Sequence, residues 1–416
     1  MIIKILFILL LLLSSCTKID EDKNEEIVIP IIEEETQKEI VYTSPVETNP
    51  PNTDFKPFFD GQTRISGVIT QEEYSTKVFS EGLNSPWGID VLPDGRFIVS
   101  EKSGFIRLID EDGSISKKIF VTDNIDSSGQ GGLLDVLVSL DFDTNGIVYF
   151  TLAEKSNKGS LTALAKAKLS LDSLSITDFE ILYRAIPYFS GNNHYGSRIV
   201  FDNEGYLFLS TGDRQSLETR YNAQSINNGH GKILHIDTNG KAVVSNPFIN
   251  DSSAHKEIFS IGHRNVQGLA IDPVTGFLWA SEMGPQGGDE LNLIESNKNY
   301  GWPTISYGEE YSGKPVGEGI TVKEGLKQPV YYWDPVIAPS GMIFYDSDII
   351  PEWKNNLFIG GLKSQHIIRL IIKDNKVIGE ERIASDEGQR FRDITVGSDG
   401  ALYAITDSGR LYRIGK

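Results

Sequence analysis

One strand–turn–strand repeat occurs six times along the chain and limits what it can fold into. Each copy has a short apolar strand, a turn that in most copies is closed by glycine, and a second apolar strand, as in residues 88–100 with Asp94-Gly95 at the turn. Turn glycines supply the positive φ that a tight hairpin requires. The other copies occupy residues 134–151, 198–211, 269–281, 342–360 and 393–406.

The spacing of the copies indicates the fold class. Units about 55 to 60 residues apart, without helical periodicity between them, match a four-stranded propeller blade better than a solenoid rung. A chain of β-sandwiches is the main alternative, but sandwiches do not repeat one unit six times. The sequence therefore predicts an all-β fold, a six-bladed β-propeller with four-stranded blades. The segment 77–79, just before the first copy, is predicted to close the ring by pairing with the last blade.

The first residues have the composition of an export signal. The apolar run 5–13 follows Lys4 and is too short to span a bilayer comfortably. The sequence Leu-Ser-Ser-Cys that ends at Cys16 is typical of a bacterial lipoprotein cleavage site, so residues 1–16 are predicted to be a lipoprotein signal peptide with Cys16 as the lipidation site. The alternative is a plain signal peptide with an incidental cysteine. The prediction is an exported bacterial lipoprotein in the periplasm or at the cell surface, anchored to a membrane by its lipid.

Composition separates a tether from the folded domain. Residues 17–70 contain acidic runs such as 33–35 and much Pro, Thr and Asn, so they are predicted to be an acidic disordered tether. Residues 71–416 are predicted to form the propeller. The net charge of −19 excludes nucleic acid as a favourable partner, because phosphates would be repelled. The single cysteine excludes an internal disulfide.

Two arginines on alternate residues are unusual in so acidic a chain. Positions i and i+2 of an extended strand share a face, so Arg390 and Arg392 should point the same way. Two like charges side by side indicate that an anion lies against them. Lys363 and Arg264 are the other cations in comparable contexts, each close behind a glycine. Because propeller loops converge at one end of the channel, these four side chains predict a pocket for a small polyanion.

Seven motifs extend this pattern. They are Gly-Gln-Gly-Gly-Leu-Leu-Asp at 129–135, Asn-His-Tyr-Gly-Ser-Arg at 193–198, Gly-His-Arg-Asn-Val-Gln-Gly-Leu at 262–269, Ser-Glu-Met-Gly-Pro at 281–285, Asp-Glu-Leu-Asn at 289–292, Ile-Ala-Pro-Ser-Gly at 337–341 and Gln-Arg-Phe-Arg-Asp at 389–393. With them the chain resembles the soluble quinoprotein glucose/sorbosone dehydrogenase family, most closely its bacterial aldose sugar dehydrogenases, over roughly residues 75 to 415. Such proteins are six-bladed propellers that bind pyrroloquinoline quinone (PQQ) and calcium.

The resemblance implies a role for each matched residue. His194 would be the catalytic base that removes the proton of the anomeric hydroxyl, which a neutral imidazole can do near neutral pH. Arg264 would stabilise negative charge that develops on the quinone oxygen. PQQ carries three carboxylates, which Arg forks bind well. The candidates for cofactor binding, with Tyr311 as a ring that stacks on it, are Gln130, Arg264, Asn265, Tyr311, Lys363, Arg390 and Arg392.

Calcium is also implied by the resemblance. Gly284 and Pro285 match the backbone carbonyl donors to a calcium ion that contacts PQQ, where the ion would polarise the quinone carbonyl. Glu290 and Tyr300 match positions linked to a further calcium in the close relatives. The alternative for Glu290 is an acidic residue of a solvated loop.

The implied function is PQQ- and calcium-dependent oxidation of an aldose at the anomeric carbon to a lactone, with hydride passing to PQQ. Electrons would then leave to a haem protein or a quinone, and the choice of sugar stays open. Two alternatives remain. One is a propeller that binds glycans or a protein without turnover. The other is a calcium-dependent lactonase, which would need carboxylate and Asn ligands at the channel mouth, where the conspicuous candidates in this chain are cations.

Overall fold

The computed structural model describes residues 39–416. The predicted signal peptide 1–16, with Cys16, and residues 17–38 of the predicted tether lie outside the described residues. Within residues 39–416, no helix is long and apolar enough to cross a membrane.

Six four-stranded blades form the propeller, which confirms the predicted fold class, and the sheet of blade 5 carries two further strands. The strands before blade 1 are β1 (Tyr42–Thr43), β2 (Gly67–Val68) and β3 (Ser75–Glu81). Blade 1 contains β4 (Pro86–Val91), β5 (Phe97–Glu101), β6 (Phe105–Ile109) and β7 (Ile119–Phe120). Blade 2 contains β8 (Leu133–Val138), the short helix α1 (Phe142–Asn145), β9 (Ile147–Ser156), β10 (Gly159–Ser170) and β11 (Ser175–Arg184). Blade 3 contains β12 (Gly196–Phe201), β13 (Leu207–Thr211), a 3₁₀ helix (Arg220–Gln224), β14 (Lys232–Ile236) and β15 (Ile258–Ile261).

The remaining blades follow in chain order. Blade 4 contains β16 (Val266–Ile271), β17 (Leu278–Glu282), β18 (Asp289–Ile294) and β19 (Tyr331–Trp333). Blade 5 contains β20 (Pro339–Phe344), a 3₁₀ helix (Pro351–Trp353), β21 (Leu357–Gly361), β22 (Ile367–Lys373) and β23 (Lys376–Ile383). Blade 6 follows a 3₁₀ helix (Ser385–Glu387) and contains β24 (Phe391–Val396), β25 (Leu402–Thr406) and β26 (Arg410–Gly415), with β3 as its fourth strand.

Each predicted repeat forms the first two strands of one blade. The first strands pack side by side in ring order, β4, β8, β12, β16, β20, β24 and back to β4, and they surround the central channel. The turns between first and second strands use glycine in the left-handed region, as at Gly95 (φ 89°) and Gly400 (φ 77°). The beginnings of all six inner strands therefore meet at one end of the channel.

The predicted ring closure is confirmed. Strand β3 pairs antiparallel with β26, placing Lys77 opposite Arg413 and Val78 opposite Tyr412. Apolar side chains alternate between the two faces of each blade and pack against the neighbouring blades. In β5, Phe97 and Val99 face blade 6, whereas Ile98 faces blade 2.

The structure corrects the predicted tether, because residues 39–70 lie on the propeller. Strand β2 pairs in parallel with β23 through Gly67 and Glu380, and β1 adds to β2, so blade 5 gains two short strands. The segment docks mainly through hydrogen bonds rather than by burying a large apolar surface. Thr70 accepts a hydrogen bond from Trp353 Nε1 at 2.8 Å and donates to Glu381 Oε2 at 2.7 Å. For residues 39–70, polar composition therefore does not distinguish an ordered segment from a disordered tether.

Candidate active site

A buried histidine–carboxylate pair lies where blade 3 begins at the channel. His194, two residues before β12, is 3% exposed, and its Nδ1 lies 2.7 Å from Oδ1 of Asp213, which follows β13. Trp302 Nε1 donates to the other carboxylate oxygen at 2.7 Å, and Gln215 N donates to Oδ1 at 2.8 Å. An ionised carboxylate only accepts hydrogen bonds, so Nδ1 carries the proton. The imidazole Nε2 is thereby left as the proton acceptor.

The surroundings keep His194 neutral. Burial and then the positive charge of Arg264 lower the pKa of the imidazole, while Asp213 acts in the opposite direction. Burial would raise the pKa of Asp213, but the interactions with His194 and Arg264 outweigh it, and the pKa of Asp213 lies below its usual value. A neutral imidazole beside an ionised carboxylate is the arrangement of a general base.

The backbone at His194 is fixed by side chains from other loops. Gln130 Oε1 accepts a hydrogen bond from His194 N at 2.8 Å. The Arg214 guanidinium donates to the carbonyl oxygens of Asn193 at 3.0 Å and Ser160 at 2.9 Å, and also to Gly191. These contacts hold His194 at φ 48°, in the left-handed region that favours glycine.

Arg264, just before β16, lies close to this pair. It is 5% exposed, and its Nη1 donates to the carbonyl oxygens of Met283 at 2.9 Å and Gly284 at 2.7 Å. The guanidinium carbon lies 5.2 Å from the centre of the Trp302 ring, within range of a cation–π contact. Because Trp302 also donates to Asp213, one tryptophan contacts both Arg264 and the carboxylate that binds His194.

A cavity of about 470 Å³, named the basic cavity, has Gln130 and Tyr195 in its wall, whereas His194 itself does not line it. Its walls are formed by Ser85, Pro86, Trp87, Lys102, Gly129, Gln130, Leu134, Tyr195, Gly196, Gln267, Met283, Ala338, Leu362, Arg390, Arg392 and Asp407. Three of these residues are cations and one is a carboxylate. Burial and then the charge of Arg392 lower the pKa of Lys102, as expected where positive charges are crowded. The cavity therefore favours an anion within an acidic protein.

Arg390 and Arg392 point the same way, as predicted, because both reach Asp407. Their Nε atoms lie 2.8 Å and 2.9 Å from the two oxygens of that carboxylate. Burial would raise the pKa of Asp407, but the two guanidinium groups outweigh it and lower that pKa. Part of the anionic charge that the paired arginines require is therefore supplied by the protein itself. The prediction of a ligand as the whole source of this negative charge is corrected by Asp407.

A second, much smaller cavity of about 10 Å³ is named the carboxylate cavity. Met283 lies in the wall of both cavities. Glu282 and Glu290 are both in the wall of the carboxylate cavity, and burial followed by the charge of Glu282 raises the pKa of Glu290 to about 8. Asn292 Nδ2 donates to Glu290 at 3.0 Å, whereas the buried Asn292 Oδ1 has no hydrogen-bond partner in the described part of the chain. No group of three or more His, Cys, Asp or Glu in residues 39–416 could hold a metal ion. A cation here would therefore need amide or backbone oxygens as well.

The sequence of this chain is similar to the sequences of a known protein family and of several known proteins. The profile of the family described as Glucose / Sorbosone dehydrogenase matches residues 83–413. The chain belongs to this family. Aldose sugar dehydrogenase YliI of Escherichia coli K12 is 38% identical over 345 residues, which cover 82% of this chain and 92% of that relative. Residues 83–413 of this family member contain the strands of every blade except β3, which ends at Glu81, and the last two residues of β26.

Solved structures of similar proteins have the same fold as this chain. The apo-form of the soluble aldose sugar dehydrogenase from Escherichia coli superposes with a TM-score of 0.79 at 37% identity, covering 82% of this chain and 99% of the other. The PQQ-bound form of the aldose sugar dehydrogenase from Streptomyces coelicolor gives a TM-score of 0.69 at 26% identity, covering 83% and 99%.

The structure brings most of the predicted site residues into these two cavities. Those that line the basic cavity are Gln130, Arg390 and Arg392. Those that line the carboxylate cavity are Arg264, Gly284, Pro285, Glu290 and Tyr300. Asn265 is fully buried between the strands and accepts a hydrogen bond from Gly196 N at 3.1 Å. The Tyr300 hydroxyl is already engaged, since it donates to Leu293 O at 2.6 Å.

Two predicted cofactor residues lie elsewhere. Tyr311 is 66% exposed and lines neither cavity, so the structure gives no support to its predicted stacking on the cofactor. Lys363 is exposed and lines neither cavity, although the carbonyl of its neighbour Leu362 accepts a hydrogen bond from Arg390 Nη1 at 3.0 Å. The third cation in the wall of the basic cavity is Lys102, where Lys363 was predicted.

Several residues of the site were missed by sequence reasoning, namely Lys102, Asp213, Glu282, Trp302 and Asp407. A signal for three of them was present. Glu282 and Asp407 directly follow the Ser or Thr that closes a repeat, and Asp213 follows one after a glycine. An acidic residue at that position follows the second strand of its blade. It therefore lies at the same end of the channel as the converging loops.

The other end of the channel holds a separate cavity of about 510 Å³, lined by later residues of the six inner strands. Between the two ends, Arg198 Nη1 lies 2.6 Å from both Asp135 Oδ1 and Asp393 Oδ2. None of the predicted cofactor or metal residues lines this channel cavity.

Proposed function

We propose that this chain is a PQQ- and calcium-dependent aldose sugar dehydrogenase that oxidises the anomeric carbon of an aldose to a lactone. The observation that carries the proposal is the buried His194–Asp213 pair, held by a hydrogen bond to Gln130 in the wall of a cavity that has three cations and one carboxylate. Family membership supports it, as does the likeness to an aldose sugar dehydrogenase and to a PQQ-bound structure. The chain's own residues supply a base and an anion site in adjoining positions.

The basic cavity fits a flat molecule with three carboxylates. Lys102, Arg390 and Arg392 would pair with its carboxylates, and Gln130 would offer its amide nitrogen while its oxygen accepts from His194 N. When bound, PQQ supplies the acceptor for the hydride that leaves the anomeric carbon.

His194 Nε2 would remove the proton of the anomeric hydroxyl. Asp213 fixes the tautomer and stabilises the imidazolium that forms, and burial of the pair keeps water away from it. The nearby guanidinium of Arg264 adds a positive field where negative charge develops. General base catalysis of this kind contributes roughly 10²–10⁴-fold in rate.

Calcium is proposed at the carboxylate cavity. A cation beside Glu290, with Asn292 Oδ1 as a further oxygen, would relieve the repulsion between Glu282 and Glu290 and satisfy the unpartnered amide oxygen. The carbonyl of Gly284 already accepts a hydrogen bond from Arg264, so an ion held by Gly284 and Pro285 would share that oxygen with a guanidinium. Glu290 therefore carries the calcium proposal.

The cellular setting is part of the proposal. The chain would be exported and anchored through a lipid on Cys16, and electrons would pass from the site to a haem protein or a quinone. The acidic charge of the chain is unfavourable for nucleic acid.

Reconstitution tests the function. Purified protein is given PQQ and calcium, then aldoses and an artificial electron acceptor, and acceptor reduction is followed by absorbance. We expect activity in the wild type, a fall in kcat of roughly 10²–10⁴-fold in His194→Ala, and little change in His255→Ala, a histidine in the connection between β14 and β15 that has no bond to Asp213. A wild type that reduces no acceptor with any aldose, or His194→Ala with full activity, would refute the proposal.

A further inference from the structure

The N-terminal arm, residues 47–64, makes unusually specific contacts with the propeller. Asp334 is 5% exposed and follows β19, and its carboxylate accepts four hydrogen bonds, all of them from the arm. Asn52 N and Nδ2 both donate to Oδ1 at 2.8 Å. Thr53 N and Oγ1 donate to Oδ2 at 3.0 Å and 2.9 Å. A carboxylate that is fully bonded by one segment holds that segment in a single register.

A second contact lies nearby in the arm. Gln62 is fully buried, its Nε2 donates to Pro329 O at 2.9 Å, and its backbone carbonyl accepts from Tyr332 N at 2.9 Å. Its Oε1 accepts a hydrogen bond from the Tyr307 hydroxyl at 3.1 Å. Thr53 Oγ1 lies 3.2 Å from Tyr307 O. The arm is thus hydrogen-bonded to two segments of blade 4, one at Tyr307 and one at residues 329–334.

Both of these blade 4 segments contact the loop 284–288. Gly288 N donates to Trp333 O at 3.0 Å, and Gln286 and Glu309 exchange backbone hydrogen bonds at 2.9 Å and 3.0 Å. A Cβ atom on Gly287, whose φ is 87°, would lie 3.0 Å from Asp334 Oδ1. The loop is therefore packed directly against the carboxylate that the arm binds.

The same loop forms the wall of the carboxylate cavity through Gly284, Pro285 and Gly288. The arm lies outside the family-matched segment, which begins at residue 83. A segment that precedes the family-matched residues thus contacts blade 4, which in turn contacts a loop of the proposed calcium site.

We propose that Asn52, Thr53 and Gln62 are positioning residues for the loop 284–288, and that the arm thereby sets the affinity of the carboxylate cavity for a divalent cation. The part of this inference that concerns affinity rests on the proposed calcium site. The part that concerns the loop depends only on the contacts described above.

The test uses the full chain with the double substitution Asn52→Ala and Thr53→Ala. The matched control is Thr70→Val, which removes hydrogen bonds to Glu381 and Trp353 on blade 5 without touching the loop. Hydrogen exchange of a peptide covering residues 284–288 is measured in protein without added ligand, and calcium alone is titrated by calorimetry. We expect about tenfold faster exchange and about tenfold weaker calcium binding in the double variant, with both unchanged in the control.

Each outcome decides one part. Unchanged exchange at 284–288 in the double variant, or an equal increase in Thr70→Val, would overturn the positioning role. Wild-type protein that binds no calcium would overturn the affinity part together with the proposed calcium site, while the exchange result still judges the loop. The single substitution Thr53→Ser keeps the hydroxyl and should show the hydrogen exchange of the wild type. This comparison separates loss of the hydrogen bond from misfolding.

Discussion

At the scale of single residues, His194 depends on neighbours that come from separate loops. Asp213 determines which ring nitrogen carries the proton, Gln130 holds the backbone amide, and Arg264 acts through its charge. Asp213 and Arg264 shift the imidazole pKa in opposite directions, so substitutions of these two residues separate their effects.

We predict that Arg264→Gln and Asp213→Asn move the acid limb of kcat/KM in opposite directions. His194 acts as a base only when neutral, so activity is present above its pKa and is lost as pH falls through it. Burial and Arg264 hold that pKa below its usual value of about 6.5, whereas Asp213 raises it. Arg264→Gln should therefore shift the limb to higher pH and Asp213→Asn to lower pH. Steady-state kinetics of reconstituted protein from about pH 4 to 9 measure the limb.

Arg96→Gln is the control, since this arginine pairs with Asp94 in a partly exposed turn of blade 1. Its limb should coincide with that of the wild type. A limb that stays in place in both site variants, or moves the same way in both, would contradict the assignment of His194 as the titrating base.

The residues at loop tips were predictable from the sequence, but their partners were not. Motifs identified His194, Arg264, Arg390 and Arg392, because such positions carry unusual residue types. Their partners depend on which strands lie side by side. Trp302 binds Asp213 across 89 positions, and no periodicity or turn signal encodes that distance.

At the scale of elements, the two inner strands of every blade were predictable and the outer strands were not. The first strand of each blade has six residues, and the second has five in every blade except blade 2, where β9 has ten. The outer strands vary from two residues in β7 to twelve in β10, and a long connection separates β18 from β19. Low apolar content predicted a disordered segment up to residue 70, but buried polar contacts such as those of Gln62 give order without an apolar face.

A buried lysine shows how one element is held. Lys232 Nζ donates to Asn222 O at 2.7 Å, to Ala223 O at 3.3 Å and to His230 O, and burial lowers its pKa well below the usual value. Two of these carbonyls belong to the 3₁₀ helix of blade 3. Gln224 in that helix donates to Trp302 O at 2.7 Å, which relates the helix to the active site.

We predict that Lys232→Met lowers the free energy of unfolding by about 2–4 kcal/mol, because three buried carbonyl oxygens lose their donor. Urea unfolding followed by fluorescence measures the change. Lys166→Met, which removes an ammonium from a surface pair with Glu180, should change the stability by less than about 0.5 kcal/mol. Equal effects of the two substitutions would contradict the role given to Lys232.

At the scale of the whole molecule, one arginine joins strands of several blades in the channel. Arg198 of blade 3 binds Asp135 of blade 2 and Asp393 of blade 6, and its Nε donates to Gln267 O of blade 4 at 3.0 Å. Asp393 Oδ2 also accepts from Ile89 N of blade 1 at 3.0 Å. Five blades thus meet at a single buried charge cluster.

We predict that Arg198→Met costs about 3–5 kcal/mol, since two buried carboxylates lose their cation. Burial already raises the pKa of Asp135 and of Asp393, and such groups reduce stability as pH rises from the unfolded to the folded pKa. Without Arg198 both pKa values rise further, so the deficit should be larger at about pH 7.5 than at about pH 5. Urea unfolding at both pH values measures it. Arg96→Met should show less than about 1 kcal/mol at either pH, and a pH-independent deficit in Arg198→Met would contradict the explanation.

Attachment to a membrane is predicted for the whole chain. If Cys16 carries acyl chains, protein from the native host should enter the detergent phase on Triton X-114 partition, because two or more buried chains bind a bilayer durably. Cys16→Ser, which removes the single cysteine, should enter the aqueous phase. Ser15→Ala keeps a small residue before the cysteine and should behave as the wild type. Intact mass spectrometry should find a mature chain that begins at Cys16 with added lipid mass. Wild-type protein in the aqueous phase, or Cys16→Ser in the detergent phase, would refute lipid anchoring while leaving the proposed catalytic site unaffected.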